Sequence, residues 1–284
     1  MTIDTEFLDQ LGRFSLIIRK RITSSYAGGR RSTATGRGLT IQDYRPYVKG
    51  DDTRLIDWKV FARTDEFFIK QYEEEKTLTA HIILDRSKSM DFGKPYTKFE
   101  YGSMLGAGFA FLAMKDNDKF EFSTFSEDLN PFKPKKGMSQ LASTVEILKK
   151  IHVKGDSKFE DCMQKYKKLL HSRALVVVIS DFLYDLDEIK RGLLRLGTNE
   201  LKVIQVLDRE EVDLKIEGDV NLHDSESDQT VRTYISRRLR EKYQTKLNEH
   251  SEGIHDMCTK LNADFYQVVT DQPIFDSFYK VLKF

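Results

Sequence analysis

The segment Ala174-Leu-Val-Val-Val-Ile179 is apolar at every position and closes on Ser180-Asp181. A strand with one wet face alternates polar and apolar residues. A strand with no alternation is buried on both faces, as happens inside a parallel sheet covered by helices. The rest of the chain supplies the parts of such a sheet. Further strand candidates lie at 78–84, 119–125, 201–207 and 263–269, and the patterns between them predict helices at 97–114, 139–151, 159–170, 186–196, 231–261 and 274–282. Strands joined by helices of this length need crossover connections, so the expected class is α/β, with a doubly wound, mostly parallel sheet and helices on both faces. In 97–114, Tyr101, Leu105, Phe109 and Leu112 are interleaved with Gly102, Ala107, Gly108 and Ala110, which suits a helix pressed closely on a sheet. The polar segment 213–228, with Gly218, is expected to form a hairpin or loop excursion, a small accessory strand region.

Residues 1–76 read differently, as an N-terminal helix, a basic arm and a motif segment packing on a core domain at 77–284. Phe7, Leu8, Leu11, Phe14, Ile17, Ile18 and Ile22 recur at three- and four-residue steps, the mark of an amphipathic helix that docks on something. No acid lies between Asp9 and Asp43, while Arg13, Arg19, Lys20, Arg21, Arg30, Arg31 and Arg37 do. Tyr26 is the only Tyr or Trp inside the arm, so base stacking is poorly served, and a solvated surface or an acidic partner is expected rather than nucleic acid. Over all 284 residues, 46 Lys and Arg oppose 45 Asp and Glu, which leaves no global field to hold nucleic acid or an anionic membrane. No apolar run approaches the ~18 residues that span a bilayer, and no secretory leader is visible. Cys162 and Cys258 lie far apart, against a disulfide framework or a thiolate zinc site, and a cytoplasmic location is expected.

Ligands of open α/β sheets bind beyond the carboxyl ends of the strands. Two strands end in suitable groups: Asp85-Arg86-Ser87-Lys88-Ser89 follows one, and Ser180-Asp181 follows the other. Asp85, Ser87 and Ser89 alternate, so one loop can aim a carboxylate and two hydroxyls into one cavity, and Asp181 adds a second carboxylate. Hard oxygen donors that leave room for water suit Mg²⁺ or Mn²⁺ rather than zinc or copper. Two carboxylates neutralise such an ion without enclosing it, so an open position remains for a carboxylate or phosphate from outside.

Asp85-x-Ser87-x-Ser89 after a buried strand resembles the metal-ion-dependent adhesion site of von Willebrand factor A domains. That resemblance implies a Thr from a second loop, matched here by Ser157 in Gly155-Asp156-Ser157-Lys158-Phe159 with Asp156 where Gly is usual, and an Asp from a third, matched by Asp181. A longer run is more specific: Asp43-Tyr-Arg45-Pro-Tyr47-Val-Lys-Gly50-Asp51-Asp52-Thr-Arg54-Leu-Ile56-Asp57-Trp58-Lys-Val-Phe-Ala62-Arg63, followed by Lys70-Gln-Tyr-Glu-Glu-Glu75. It is similar to the family catalogued as domain of unknown function 58, whose members carry a von Willebrand factor A-like domain and are often encoded beside MoxR-type AAA+ ATPases. The resemblance runs from about Gly36 to the C-terminus. It implies a von Willebrand factor A-like fold and a non-enzymatic, metal-dependent interaction module, with Mg²⁺ or Mn²⁺ at Asp85, Ser87, Ser89, Ser157 and Asp181. The implied partners are a MoxR-type AAA+ ATPase and its client protein, the ATPase supplying motive power and this chain presenting the client in complex assembly or maturation. Many relatives have transmembrane helices before this region; none is visible here, which favours a soluble adaptor.

Read from its residues alone, Gly50-Asp51-Asp52 is a turn leading to a helix cap at Asp52, with Ile56 and Phe61 facing inward. Arg45, Arg54, Asp57 and Arg63 are expected to form a charged network around Trp58, either a clamp for the N-terminal segment or a partner-binding surface. The competing function is a Mg²⁺-dependent phosphatase or phosphate binder using Asp85 and Asp181. A haloacid-dehalogenase-type enzyme needs a second Asp as general acid where Ser87 stands, and receiver-like chemistry needs a positioned Lys that the sequence does not mark. No Gly-x-Ser-x-Gly elbow is present, and His81, His152, His171, His223, His250 and His255 show no paired spacing.

Overall fold

The computed structural model describes residues 7, 10–13, 35–36, 40–73, 79–133, 137–171, 173–215, 218–223 and 230–282. In chain order the elements are α1 (10–13), β1 (Thr35–Gly36), β2 (Thr40–Pro46), α2 (Trp58–Thr64), β3 (Phe68–Glu73), β4 (Thr79–Asp85), α3 (Lys98–Lys115), β5 (Lys119–Phe125), β6 (Leu129–Pro131), α4 (Gly137–Lys150), α5 (Phe159–Lys167), β7 (Leu175–Ser180), α6 (Leu186–Leu196), β8 (Glu200–Leu207), α7 (Arg209–Val212), β9 (Gly218–His223), β10 (Thr230–Ile235), α8 (Arg237–Lys260), β11 (Asp264–Val269) and α9 (Ile274–Leu282). They fall into two compact units, Ile18–Thr77 and a larger one made of Met1–Ile17 with Leu78–Phe284.

The described residues of the larger unit form a six-stranded sheet in the order β11-β8-β7-β4-β5-β6, parallel throughout except for the edge strand β6. The chain enters at β4, leaves to one side for β5, then crosses back to β7 on the other side. That reversal puts a topological switch point between β4 and β7. The apolar run of β7 divides by parity: Val177 and Ile179 face a layer with α3, α4 and α9, while Val176 and Val178 face one with α5, α6 and α8. Both layers are closed to water, so each of these side chains contributes roughly 1.5–3 kcal/mol of burial. Phe7 and Leu11 join the first layer, and the free thiols Cys162 and Cys258 are buried in the second.

Helix α3 lies close to the sheet because it carries glycine where the strands press. A Cβ at Gly102 would stand 2.9 Å from Leu84 Cδ1, and one at Gly106 would stand 2.8 Å from the Phe122 ring. Thr97 caps the helix in a capping box with Glu100 and fixes where its first turn begins.

One element differs in type from the sequence pattern. Residues 231–235 were expected to open the long C-terminal helix; they belong to β10, which pairs antiparallel with β9 as a two-stranded hairpin. Val231-Arg-Thr-Tyr-Ile235 has the β-branched and aromatic period-two pattern of a strand, and Ser236, accepting from Leu239 N, caps α8 only after it. No described helix is long and apolar enough to cross a membrane.

The described residues of the small unit form a three-stranded antiparallel sheet, β1-β3-β2, with α2 and the buried side chains of Ile56 and Ile69. The remainder of the amphipathic stripe, Leu8, Phe14, Ile17, Ile18 and Ile22, and the basic-arm residues Arg19, Lys20, Arg21, Arg30, Arg31 and Arg37 lie outside the described residues.

Candidate metal site at the carboxyl end of the sheet

Two strand-end loops of the larger unit, after β4 and after β7, meet the connection between α4 and α5, which carries Ser157, at the switch point. Asp85 ends β4 fully buried, and the backbone turns at once, so that Ser87 N donates to Asp85 Oδ1 at 2.7 Å. The same turn brings Ser87 Oγ and Ser89 Oγ to 3.1 Å from each other. The loop carrying Ser157 is tied to this one by backbone bonds, Lys88 N to Gly155 O at 2.9 Å and Lys154 N to Arg86 O at 3.1 Å. Ser157 Oγ is buried and has no hydrogen-bond partner. Its nearest polar influence is the Tyr184 hydroxyl, on which Ser157 acts from this loop. The third loop follows β7: Ser180 Oγ donates to Asp85 Oδ2 at 2.8 Å, and Tyr184 OH donates to the same oxygen.

The turn after β7 is held from several sides. Phe182 adopts left-handed backbone with φ 52, a strained choice for an aromatic residue. His250 of α8 donates through its ring Nε2 to Phe182 O at 2.7 Å, and Gln205 Nε2 donates to Asp181 O at 3.0 Å. Tyr184 stacks on Phe159, centroids 5.7 Å apart. Its hydroxyl stands where Asp85, Asp181 and Ser157 all act on it. Burial pushes that hydroxyl well above its ordinary range, and the charges of Asp85 and Asp181 push the same way.

Burial also pushes the Asp85 carboxyl up to about 6, with the charge of Asp181 adding to it, while bonds from Tyr184, Ser87 N and Ser180 pull it back. This carboxylate is short of positive charge. Asp181 is not: Lys98 Nζ, from the first turn of α3, donates to Asp181 Oδ2 at 2.8 Å and to Glu211 Oε1 at 2.6 Å. Burial works against the ammonium, but the two carboxylates outweigh it and hold the Lys98 pKa above its ordinary value. Glu211 is itself placed by a capping box, its Oε2 accepting from Asp208 N at 2.8 Å, while Asp208 is anchored by Thr270 Oγ1 at 2.6 Å.

The donors agree with Mg²⁺ or Mn²⁺ in three respects. Neighbouring ligands about 2.1 Å from an octahedral Mg²⁺ stand about 3 Å apart, as the two serine hydroxyls do. The Ser157 hydroxyl, which also acts on Tyr184, is a third oxygen donor on the adjoining loop, and Asp85 supplies unneutralised charge. Asp181 departs from the expected set, because an ammonium already holds it. Among the described residues, no group of three or more His, Cys, Asp or Glu side chains is arranged to hold a metal ion.

Sequence reasoning missed Lys98, Glu211, Tyr184 and Ser180. Lys98 left one faint signal, a cation at the start of a helix, where the dipole disfavours it. The expected network around Trp58 does not form. Arg45 makes a two-bonded pair with Asp51 at 2.7 and 2.8 Å, and Arg54 pairs with Asp52 at 2.9 Å. Asp57 caps α2, accepts from Tyr44 OH at 3.1 Å and meets Lys70 Nζ at 3.4 Å, while Arg63 Nε donates to Lys59 O. The local cap and turn bonds use up these groups before any of them reach across Trp58, whose exposed ring instead touches Phe61 and Phe67 edge-on. Asp52 does cap a short 3-10 turn at Thr53–Leu55, and Ile56 is buried.

Among known proteins, the chain is 24% identical over 276 residues to Uncharacterized protein Rv1480 of Mycobacterium tuberculosis, covering 95% of this chain and 86% of that one, and equally to Uncharacterized protein Mb1516 of Mycobacterium bovis. Similar solved structures include BatB from Bacteroides thetaiotaomicron, with TM-score 0.41 and 15% identity over 72% of this chain and 98% of that one. The SpRpn10 VWA domain is similar with TM-score 0.42 and 14% identity, over 72% of this chain and 95% of its own. Residues 43–253 match the model of the family described as Protein of unknown function DUF58, and the chain belongs to that family.

Proposed function

We propose that this chain is a non-enzymatic interaction module that grips an acidic side chain of a partner protein through a divalent cation at the carboxyl end of its larger sheet. Ser87, Ser89 and Ser157 would hold Mg²⁺ or Mn²⁺ through their hydroxyls, with Asp85 supplying charge and Asp181 standing beside the group under the hold of Lys98. When bound, the ion supplies an open coordination position with affinity for a carboxylate. The observation that carries this reading is the pairing of two serine hydroxyls 3.1 Å apart with a third, buried and unpartnered, on a loop hydrogen-bonded to theirs. The chain's own residues then have clear parts. Ser180 and Tyr184 fix the Asp85 carboxylate, and the backbone bonds between the first and second loops fix the spacing of the hydroxyls.

The family resemblance points to a MoxR-type AAA+ ATPase and its client as partners, and to a cytoplasmic adaptor that presents the client while the ATPase does the work. The test is a pull-down of the candidate ATPase in Mg²⁺ and in chelator, repeated with Asp85→Ala. Capture that needs the ion and the carboxylate supports the reading; capture that ignores both rejects it. A phosphate ester turned over by the native chain and not by Asp85→Asn would put the phosphatase in its place.

A further inference from the structure

Lys98 is the feature of this site that an ion-holding role does not call for. Its side chain is 1% exposed, and Asp181 is fully buried. It stands at the first position of α3, where the positive end of the helix dipole opposes a cation, so only strong local compensation keeps it there. Asp181 and Glu211 provide that compensation at 2.8 and 2.6 Å. Gly102 and Gly106 let α3 sit deep enough for the ammonium to reach the strand ends. One carboxylate of the group is therefore neutralised by the chain itself, while Asp85 is not.

We propose that Lys98 is a built-in competitor for the divalent ion: its ammonium withholds Asp181 and so sets how weakly the site binds metal. This deepens the metal reading above and rests on it. With Asp181 committed, the ion meets three hydroxyls and one carboxylate whose own oxygens are engaged by Ser87 N, Ser180 and Tyr184. A site of this charge binds loosely and responds to changes in free Mg²⁺ or Mn²⁺. Removing the ammonium releases a buried carboxylate for the ion, and at such range a full charge is worth at least about tenfold in affinity.

The probe is Mn²⁺ alone, titrated by calorimetry and by the loss of its free-ion electron paramagnetic resonance signal. The informative variant is K98M/E211Q, which removes one positive and one negative charge, leaves the net charge of the group as it was, and keeps an acceptor at position 211 for the Asp208 cap. It should bind Mn²⁺ at least about tenfold more tightly than the native chain. The gain should vanish in K98M/E211Q/D181N, and saturating Mn²⁺ should raise the melting temperature of K98M/E211Q more than that of the native chain. K98Q, which keeps hydrogen-bond donors toward both carboxylates, should show the same tightening. Equal, measurable affinity in the native chain, K98M/E211Q and K98Q would overturn the competitor role and leave the metal site standing. No uptake by any of these folded proteins would instead overturn the metal reading itself. Should neither variant fold, as judged by circular dichroism, the ammonium cannot yield to an ion and the competitor role falls.

Discussion

Two ion pairs in this molecule have nearly the same length and opposite consequences. Arg45 meets Asp51 at 2.7 Å in the small unit with side chains 38% and 22% exposed; Lys98 meets Asp181 at 2.8 Å in the larger unit with side chains 1% and 0% exposed. At the surface, water solvates each partner about as well as the other does, so the pair adds little to stability. The Arg45 guanidinium and the Val48 amide hold the Asp51 carboxyl down to about 2. In the interior, both charges have lost their water, and each is tolerable only while the other is present. The extra bonds at the buried pair, Glu211 on Lys98 and Gln205 on the Asp181 carbonyl, follow from that need. Distance therefore says little about what an ion pair does. Burial decides it.

The largest effect that tests the contrast comes from breaking the buried pair on one side. Lys98→Ala leaves Asp181 and Glu211 uncompensated and is expected to cost about 3–5 kcal/mol in urea unfolding followed by far-ultraviolet circular dichroism. A loss below about 1 kcal/mol would place this pair with the surface kind.

A second test disturbs the burial and leaves the charges alone. Gly106→Ala puts a methyl 2.8 Å from the Phe122 ring and should cost about 1–3 kcal/mol as α3 is pushed off the sheet. Because the same helix carries Lys98, Mn²⁺ affinity should shift as well. Gly12→Ala, with nothing nearer than 3.7 Å, is the neutral control.

These expectations separate what the sequence makes legible from what it hides. The sheet was legible, because double burial leaves a mark at every residue of β7 and because helices such as α6 and α9 carry their period openly. The metal-ligand candidates were legible too, since Asp85, Ser87 and Ser89 follow a strand in one short run and Asp181 directly follows another. Lys98 and Glu211 were not: they lie 113 positions apart, on a helix start and a one-turn helix, and only the crossing of α3 with the end of β8 brings them together. The Trp58 network failed for the converse reason. Residues close in sequence met their nearest backbone amides and each other before a longer-range cluster had a chance to form. The hairpin at β9 and β10 is legible as an excursion, while its second strand reads as part of the helix that follows, because only the single cap residue Ser236 separates β10 from α8.

The smallest effect is expected at the surface pair, and it can be isolated because the chain has a single tryptophan, Trp58, inside the small unit. The Asp51 carboxyl lies at about 2 in the folded chain against an ordinary 3.8, so folding is favoured by its ionised form. That contribution is complete above the ordinary value and is lost as the pH falls through about 2. Arg45→Ala should therefore raise the Asp51 midpoint, followed by carboxyl carbon NMR, toward the ordinary range, and should lower the urea midpoint near neutral pH slightly, far less than Lys98→Ala does, with Trp58 emission unchanged. High salt, about 1 M, should reproduce part of that rise in the native chain, since it screens an exposed pair and barely reaches a buried one. If Arg45→Ala near neutral pH instead costs as much as Lys98→Ala, burial is not what separates the two pairs. The competitor role of Lys98 would then lose its physical basis, because it requires an ammonium that no water can replace.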